Sequence, residues 1–350
     1  MAGKFLNCDC MEGMKAYPDE SVSCCVTSPP YYGLRDYGVP VQIGLETTPE
    51  EYISRLVDVF REVKRLLRGD GTLWLNIGDS YAGSRKSAAR YPDDARKHLQ
   101  GTNKGSVGCD AITRTQYDRS SKNLLGIPWR VALALQDDGW ILRSDIIWAK
   151  PNPMPESVRD RPTKSHEYIF LFSKSQKYFY DAEAIAEPTA DSTAADKRFS
   201  SDGYSCGRPE RGYPKAAQQG SGALKPRYGG KKYTGTPELF FRTKSGNIYD
   251  RRPFRNKRDV WFIATAAYKG AHFATFPEKL VEPCILAGCP EGGTVLDPFI
   301  GSGTVAFVAE KLGRQWLGFD INPDYIAIAR QRLDELTAQP TLGDFRYEGE

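Results

Sequence analysis

The sequence has 350 residues, and its 48 lysines and arginines nearly balance 44 aspartates and glutamates, giving a formal net charge of +4. Hydrophobic residues make up 40% and charged residues 26%, which excludes a disordered tail, a collagen-like fibre and a small disulfide scaffold. No apolar run reaches the roughly 18 residues of a membrane helix, no secretory signal is apparent, and the adjacent Cys24 and Cys25 suit a reducing compartment, so we predict a cytoplasmic protein.

Predicted strands and helices alternate along the chain. Residues 21–27 form a β-prone run that stops at two consecutive prolines. Residues 48–67 form a helix, because Thr48 and Glu51 make a capping box and apolar side chains recur at helical spacing. The further predicted elements, in chain order, are strand 72–77, helix 128–138, strands 140–148 and 167–172, helix 277–287, strand 294–297, helix 301–312, strand 315–320 and helix 323–336. This alternation predicts an α/β fold with an open, mostly parallel sheet and helices on both faces.

Two stretches without hydrophobic periodicity interrupt the pattern. Residues 83–123 carry nine basic and four acidic side chains, and residues 191–258 carry sixteen basic and six acidic ones. The second stretch has a formal net charge of +10, and because the whole chain has +4, the rest of the chain has −6. A solvated linker and a phosphate-binding surface both agree with this composition, and interleaved aromatics such as Tyr228 and Tyr233 favour the surface.

A glycine-containing turn lies within residues 295–304. Gly301 and Gly303 allow the backbone to approach a ligand closely, and the helix that follows presents unpaired N–H groups. The run is neither the GxGxxG of dinucleotide enzymes nor a phosphate loop, since no Lys-Ser/Thr pair follows Gly303. The next strand ends at Asp320, where a carboxylate can accept hydrogen bonds from ribose hydroxyls.

A second motif follows the strand at residues 21–27. It is a Ser-Pro-Pro-Tyr sequence, in which the two prolines make a rigid turn. One interpretation is a proline-terminated edge strand with surface tyrosines. The other is a turn that fixes Ser28 and the ring of Tyr31 toward the ligand crevice of the sheet.

Together the two motifs resemble those of the amino-methylating DNA methyltransferases, which carry a (Ser/Asp/Asn)-Pro-Pro-aromatic catalytic motif and a Phe-x-Gly-x-Gly cofactor motif. Here the two are Ser28-Pro29-Pro30-Tyr31 and Phe299-Ile300-Gly301-Ser302-Gly303. The catalytic motif comes first, which is similar to the permuted β-group order. The resemblance covers most of the chain and implies a Rossmann-like S-adenosylmethionine-dependent methyltransferase fold.

The resemblance also implies S-adenosylmethionine as the cofactor and a set of residues that hold it. The sequence near Asp9 is similar to the family's acidic segment at the adenine, and the segment from His272 is similar to the element that closes over the methionine. The implied cofactor-binding residues are Asp9, Cys10, His272, Phe273, Pro277, Asp297, Pro298, Phe299, Gly301, Ser302, Gly303, Thr304, Asp320 and Asn322.

The implied catalytic residues are Ser28, Pro29, Pro30 and Tyr31. An exocyclic amine is a poor nucleophile because its lone pair is delocalised into the base. The Ser28 hydroxyl and the Pro29 carbonyl are therefore expected to accept hydrogen bonds from the amine and to orient its lone pair toward the methyl group. Tyr31 is expected to stack on the base after it has rotated out of the duplex.

The sequence leaves the target base open. Within the family, Ser-Pro-Pro is associated with N4 of cytosine and Asp-Pro-Pro with N6 of adenine, but some Ser-type members methylate adenine. A hydroxyl and a carboxylate can both accept from an amino N–H, so the chemistry does not decide between them. We favour cytosine slightly. An RNA amino-methyltransferase and a catalytically silent DNA-binding relative are the alternatives.

The predicted partner is double-stranded DNA, with a homodimer and a cognate restriction endonuclease left open. We predict that residues 1–190 and 259–350 form the catalytic and cofactor-binding parts of one domain, and that residues 191–258 form a target-recognition or linker insertion. No metal site is expected, because no paired Cys-x-x-Cys set exists.

Two further segments each have two interpretations. Asn76 and Asp79, after the strand at residues 72–77, either line the base pocket or form a capped turn. The charged run 157–167 either contacts the DNA backbone or forms a surface ion-pair cluster.

Overall fold

A computed structural model describes most of the chain. The described residues are 3–34, 42–82, 120, 122–188, 240–242, 248–250, 254–265 and 277–338. They fall into two compact units, one made of residues 1–185 with 258–350 and the other of residues 186–257. Most of both basic stretches, 83–123 and 191–258, therefore lies outside the described residues.

The first unit contains one eight-stranded sheet and six helices, counted over the described residues. Its strands are β1 (Lys4–Asn7), β2 (Val22–Thr27), β3 (Leu67–Ile77), β4 (Ile141–Ala149), β5 (His166–Ser173), β10 (Val260–Phe262), β11 (Thr294–Asp297) and β12 (Gln315–Asp320). Its helices are α1 (Cys10–Lys15), α2 (Pro49–Leu66), α3 (Ile127–Asp137), α4 (Glu278–Gly288), α5 (Thr304–Lys311) and α6 (Pro323–Thr337). In the second unit, β6 (Glu187–Pro188) pairs with β9 (Phe254–Arg255), and β7 (Phe240–Arg242) pairs with β8 (Ile248–Asp250), both antiparallel.

The sheet has the strand order β1-β12-β11-β2-β3-β5-β4-β10. All neighbouring pairs are parallel except those made by β5, which runs antiparallel to both β3 and β4. The predicted α/β fold with a mostly parallel sheet is confirmed. The strand order reverses beside β2 and β11, since the chain passes from β2 to β3 on one side and from β11 to β12 on the other, and ligands bind at such a point in open α/β sheets.

Helix α2 shows how the sequence determines the local structure. Thr48 accepts a hydrogen bond from the Glu51 N–H, the Glu51 side chain returns to the Thr48 backbone, and Pro49 occupies the first turn. One face of the helix is buried, as the spacing predicts. The helix ends at Leu66 because Leu67 is extended and starts β3 directly, so β3 begins five residues before the predicted strand at 72.

Buried side chains form two clusters, one on each face of the sheet. Helices α1, α2 and α3 contribute to the first cluster, and α4, α5 and α6 contribute to the second. Burial of this much apolar surface is the main force that holds the layers together. In the part of the chain that the structure describes, no helix has the length and apolar character needed to cross a membrane.

Candidate active site

The carboxyl ends of the parallel strands bring the two sequence motifs to one edge of the sheet. Strand β2 ends at Thr27, directly before Ser28, and its neighbour β11 ends at Asp297. Strand β12 ends at Asp320 on the far side of β11. Residues far apart in the sequence therefore meet here because their strands are neighbours and run in the same direction.

The glycine turn between β11 and α5 depends on its two glycines. Gly301 has φ +50° and Gly303 has φ +80°, both in the left-handed region that favours glycine. A Cβ on Gly303 would lie 2.8 Å from Cβ of Ala329 on α6, whereas a Cβ on Gly301 would meet nothing closer than 3.9 Å. Gly303 thus allows two helices to pack closely, while Gly301 leaves the turn open. The predicted helix 301–312 begins only at Thr304 because of this turn.

Asp320 holds the glycine turn in place from the end of β12. Its Oδ2 accepts a hydrogen bond from the Gly301 N–H at 3.0 Å, and its Oδ1 accepts from the Asn322 N–H at 2.8 Å. Burial raises the pKa of Asp320 to about 6, against the lowering effect of these backbone donors. Asn322 itself caps α6 by accepting from the Asp324 N–H.

Asp297 joins the two motifs. Its Oδ1 accepts from the hydroxyl of Thr27 at 2.6 Å and from the Phe299 N–H at 3.0 Å. Its Oδ2 is buried and has no hydrogen-bond partner among the residues that the structure describes. Burial raises the pKa of Asp297 to about 7, because a carboxylate is poorly solvated there. A buried oxygen without a partner at a ligand-binding edge is suited to accept a hydrogen bond from a bound molecule.

Arg332 on α6 supports the glycine turn, a role that the sequence analysis did not predict. Its guanidinium Nη1 donates to the Ser302 carbonyl at 2.8 Å, to the Ser302 hydroxyl at 3.2 Å and to the Thr304 hydroxyl at 3.3 Å. It also pairs with Glu278 of α4 at 3.7 Å, and its side chain is only 15% exposed. Nothing in the helical pattern of residues 323–336 distinguishes this arginine from an exposed one, so no local signal could have identified it.

A polar network surrounds the Ser-Pro-Pro-Tyr motif. The Ser28 hydroxyl lies 3.3 Å from Oδ1 of Asn76 at the end of β3. The Tyr31 hydroxyl lies 3.2 Å from the same Oδ1 and 2.8 Å from Oε2 of Glu167, at the start of β5. Glu167 in turn forms an ion pair with Lys150. The motif therefore faces a connected set of polar side chains, of which the sequence predicted only Asn76.

The ring of Tyr31 packs against the backbone that follows β3. A Cβ on Gly78 would lie 2.5 Å from Cε2 of Tyr31, so the glycine leaves room for the ring. Burial and the negative charge of Glu167 raise the pKa of Tyr31 well above its usual value. The Tyr52 hydroxyl donates to the carbonyl of Pro30 at 2.8 Å and fixes the backbone of the motif.

The two ambiguous segments now have definite positions. Asp79 accepts hydrogen bonds from the N–H groups of Gly126 and Ile127 and so caps α3, as in a capped turn. In the run 157–167, Lys164 donates to the Asp79 carbonyl at 2.6 Å, and burial lowers its pKa. Arg161 pairs with Glu156 at 2.7 Å. Ion pairs are present in this run, and its contact with DNA stays a prediction.

The remaining residues predicted to hold the cofactor have varied surroundings. Asp9 caps α1 by accepting from two N–H groups in its first turn. Cys10 lies in the hydrophobic core, and burial raises the pKa of its thiol to about 12. Pro277 starts α4, and His272 and Phe273 lie outside the described residues. Pro298 and Phe299 belong to the turn after β11. The same turn contains Ser302 and leads into Thr304, and the side chains of Ser302 and Thr304 are buried.

The residues present fit S-adenosylmethionine. The cofactor needs an acceptor for its ribose hydroxyls, acceptors for its ammonium group and space beside the backbone. Asp320 offers a carboxylate, Asp297 a buried oxygen without a partner, and the Gly301 turn an open approach. No three His, Cys, Asp or Glu side chains group closely enough to hold a metal ion within the ranges that the structure describes.

Comparisons with known proteins agree with this arrangement. A family model described as DNA methylase, of the N6 and N4 type, matches residues 22–331. The type II methyltransferase M.XycI of Xanthomonas campestris pv. cyanopsidis is 42% identical over 325 residues, which cover 93% of this chain and 85% of the relative. The type II methyltransferase M.SmaI of Serratia marcescens is 42% identical and covers 93% and 88%.

Two solved structures share the fold. The PvuII DNA methyltransferase (cytosine-N4-specific) superposes with a TM-score of 0.57 at 18% identity, covering 95% of this chain and 86% of the other. The TTHA0409 protein of Thermus thermophilus, complexed with S-adenosyl-L-methionine, superposes with a TM-score of 0.52 at 20% identity, covering 95% and 93%.

Proposed function

This chain belongs to the N6/N4 family of DNA methylases, and on that premise we propose that it methylates the N4 amino group of cytosine in duplex DNA. It is an S-adenosylmethionine-dependent DNA methyltransferase that acts on an exocyclic amine. The choice of cytosine rests on one observation, the neutral Ser28 at the first position of the catalytic motif. A fold shared with an enzyme described as cytosine-N4-specific supports the same choice.

The experiment that tests the base is mass spectrometry of nucleosides. Unmethylated genomic DNA is incubated with the protein and S-adenosylmethionine, digested to nucleosides and separated. We expect N4-methylcytosine above the level of a reaction without protein. N6-methyladenine in its place would overturn the choice of cytosine while leaving the family assignment intact.

We assign the cofactor to the edge formed by β11, β12 and the glycine turn. S-adenosylmethionine supplies a methyl group on a sulfonium, which is already an activated electrophile. Asp320 would accept from the ribose hydroxyls, and Oδ2 of Asp297 would accept from the amino group of the methionine part. Arg332 would keep the Ser302–Thr304 backbone in the shape that the cofactor requires.

The Ser-Pro-Pro-Tyr motif would hold the flipped base. The Ser28 hydroxyl and the Pro29 carbonyl would accept hydrogen bonds from the amine, so that its lone pair points toward the methyl group. The ring of Tyr31 would stack on the base. After transfer the amine carries an extra proton, which leaves through these acceptors to solvent.

The basic stretches are proposed to bind the DNA. Residues 83–123 would contact phosphates, and residues 191–258 would read base edges in the major groove. DNA affinity is then expected to fall steeply as the salt concentration rises, because each phosphate contact releases counterions. Fluorescence anisotropy with labelled duplex DNA measures this slope, and a flat response would show that these stretches do not bind phosphate.

Several relatives are named type II methyltransferases. On this basis we propose that this protein protects DNA from a cognate restriction endonuclease. Whether the protein works as a homodimer stays a prediction. Sedimentation at micromolar concentration, with and without duplex DNA, tests it.

A further inference from the structure

A half-buried carboxylate outside both sequence motifs makes several contacts beside the catalytic residues. Glu167, at the start of β5, accepts a hydrogen bond from the Tyr31 hydroxyl at 2.8 Å and lies 3.4 Å from Nδ2 of Asn76. Its other oxygen forms the ion pair with Lys150, and the two side chains are 14% and 17% exposed. Charge-assisted hydrogen bonds of this kind are the strong ones, and they hold their partners in fixed geometry.

The direction of the hydrogen bonds around Tyr31 follows from how many donors and acceptors are present. The hydroxyl of Tyr31 has one proton and two neighbouring acceptors, Oε2 of Glu167 at 2.8 Å and Oδ1 of Asn76 at 3.2 Å. The carboxylate is the closer and the stronger acceptor, so it takes the proton. Burial and the charge of Glu167 raise the pKa of Tyr31, so the hydroxyl keeps that proton at neutral pH.

The amide of Asn76 has a fixed orientation for a similar reason. Its Nδ2 faces the carbonyl of Tyr168 at 3.1 Å and the carboxylate of Glu167 at 3.4 Å. A rotated amide would turn its oxygen toward both of these acceptors, which is unfavourable. Oδ1 of Asn76 therefore faces Ser28 and Tyr31 as an acceptor.

Both groups on the inner side of Ser28 are then acceptors. They are Oδ1 of Asn76 at 3.3 Å and the hydroxyl oxygen of Tyr31, with which Ser28 also interacts. The Ser28 hydroxyl donates its single proton inward and keeps its lone pairs for the substrate side. A serine that donated outward would compete for the lone pair of the target amine, which must attack the methyl group.

We propose that Glu167 is a positioning residue that sets the direction of this hydrogen-bond chain and so makes Ser28 an acceptor for the target amine. The proposal rests on the role of Ser28 proposed above. It assigns to Glu167 a part in the methyl-transfer step that is separate from cofactor binding, since Asp297 and Asp320 lie at the ends of other strands.

Glu167→Gln tests the proposal because it keeps the shape of the side chain and changes one acceptor into a donor. The Lys150 ammonium requires the amide oxygen, so the new NH₂ group faces Tyr31. Tyr31 must then donate to Ser28, or compete with it for Oδ1 of Asn76, and either change weakens the inward hydrogen bond of the Ser28 hydroxyl. We expect the single-turnover rate of methyl transfer to genomic DNA to fall about 10- to 100-fold, by analogy with the outer hydrogen-bond partners of metal ligands, whose loss has effects of this size. The affinity for S-adenosylmethionine, measured by calorimetry, is expected to stay within about twofold.

The decisive comparison is a rescue. Tyr31→Phe removes the proton that is misdirected in Glu167→Gln, so the double variant is expected to transfer methyl groups faster than Glu167→Gln alone. A matched control is Glu62→Gln, which alters another partly buried, ion-paired glutamate, here paired with Arg65 on α2, and is expected to keep the wild-type rate. An unchanged rate in Glu167→Gln, or a double variant slower than Glu167→Gln, would overturn the proposal.

Ser28→Ala separates this proposal from the one on which it rests. If Glu167 acts through Ser28, then Glu167→Gln has less than about a twofold effect in the Ser28→Ala background. If Glu167→Gln lowers the transfer rate equally in both backgrounds, the proposed role of Glu167 is refuted and that of Ser28 is not. A Ser28→Ala variant with the wild-type rate would refute the proposed role of Ser28 instead.

Discussion

The buried carboxyl group of Asp297 makes a quantitative prediction about stability. Its pKa of about 7 in the folded protein lies well above the value of about 3.8 in an unfolded chain. The folded state therefore holds a proton between these two pH values that the unfolded state has released. Stability from this group is fully present below pH 3.8 and is lost as the pH rises toward 7.

The magnitude follows from the shift. Each pKa unit corresponds to about 1.4 kcal/mol, so raising the pH from 5 to 8 removes about 3 kcal/mol of unfolding free energy through Asp297 alone. Asp297→Asn cannot titrate. Its new NH₂ group takes the position of Oδ2, where the protonated carboxyl also places a donor. The variant is thus expected to gain about 3 kcal/mol of unfolding free energy relative to the wild type between pH 5 and pH 8.

Urea unfolding followed by fluorescence at pH 5, 6, 7 and 8 measures this difference. The exposed Asp145→Asn, on β4, controls for the general effect of removing a carboxylate, and its curve is expected to run parallel to the wild type. A constant difference between Asp297→Asn and the wild type across this range would show that the buried carboxyl does not hold its proton. The same variant is expected to bind S-adenosylmethionine about 10-fold more weakly or worse, because an NH₂ group replaces the proposed acceptor.

Three further changes test the geometry of the site. Gly303→Ala puts an alanine at a backbone position with φ +80° and brings its Cβ to 2.8 Å from Cβ of Ala329. We expect denaturant titration to show a loss of about 2–4 kcal/mol in unfolding free energy, with partial rescue by Ala329→Gly. A loss below about 1 kcal/mol would contradict the close approach of the two helices. Arg332→Met is expected to raise the dissociation constant of S-adenosylmethionine about 10-fold, as measured by calorimetry. The control is Arg330→Met, which alters an exposed arginine on the same helix and is expected to leave the dissociation constant unchanged. Equal effects of the two substitutions would show that the contacts of Arg332 with Ser302 and Thr304 are irrelevant to cofactor binding. Tyr31→Ala is expected to lower the turnover number much more than the cofactor affinity, because the ring is proposed to stack on the flipped base. An equal loss of both in steady-state kinetics and calorimetry would refute the stacking role.

The sequence predicted the longer elements because each carries its own local signal. The capping box of α2 and the glycine turn before α5 are examples, and both are present as expected. Strand β1 and helix α1 were missed because four and six residues are too short for periodicity to show, whereas the equally short β11 was predicted from an apolar run that leads into the glycine motif. The pairing of β1 with β12 could not be inferred from either segment alone.

The candidate site divides in the same way. Ser28, Tyr31, Asp297 and Asp320 were predicted as site residues because each stands in a motif or at the end of a predicted strand. Glu167 was not, although it lay in a run noted for its charge, because its contact with Tyr31 spans 136 residues and depends on β5 running antiparallel beside β3. Side-chain contacts of this kind follow from the order of strands, which local sequence does not encode.

The hydrogen bond from Thr27 to Asp297 connects residues that are 270 positions apart. At a synthesis rate of about 5–20 residues per second, the ribosome needs about 14–54 s to pass from one to the other. During that time β2 and β3 can pair, but β11 and β12 do not yet exist, so Ser28, the proposed catalytic residue, lacks the proposed cofactor site beside it. Each newly made molecule therefore carries an exposed, incomplete sheet edge for most of its synthesis and gains activity only when its last strands insert.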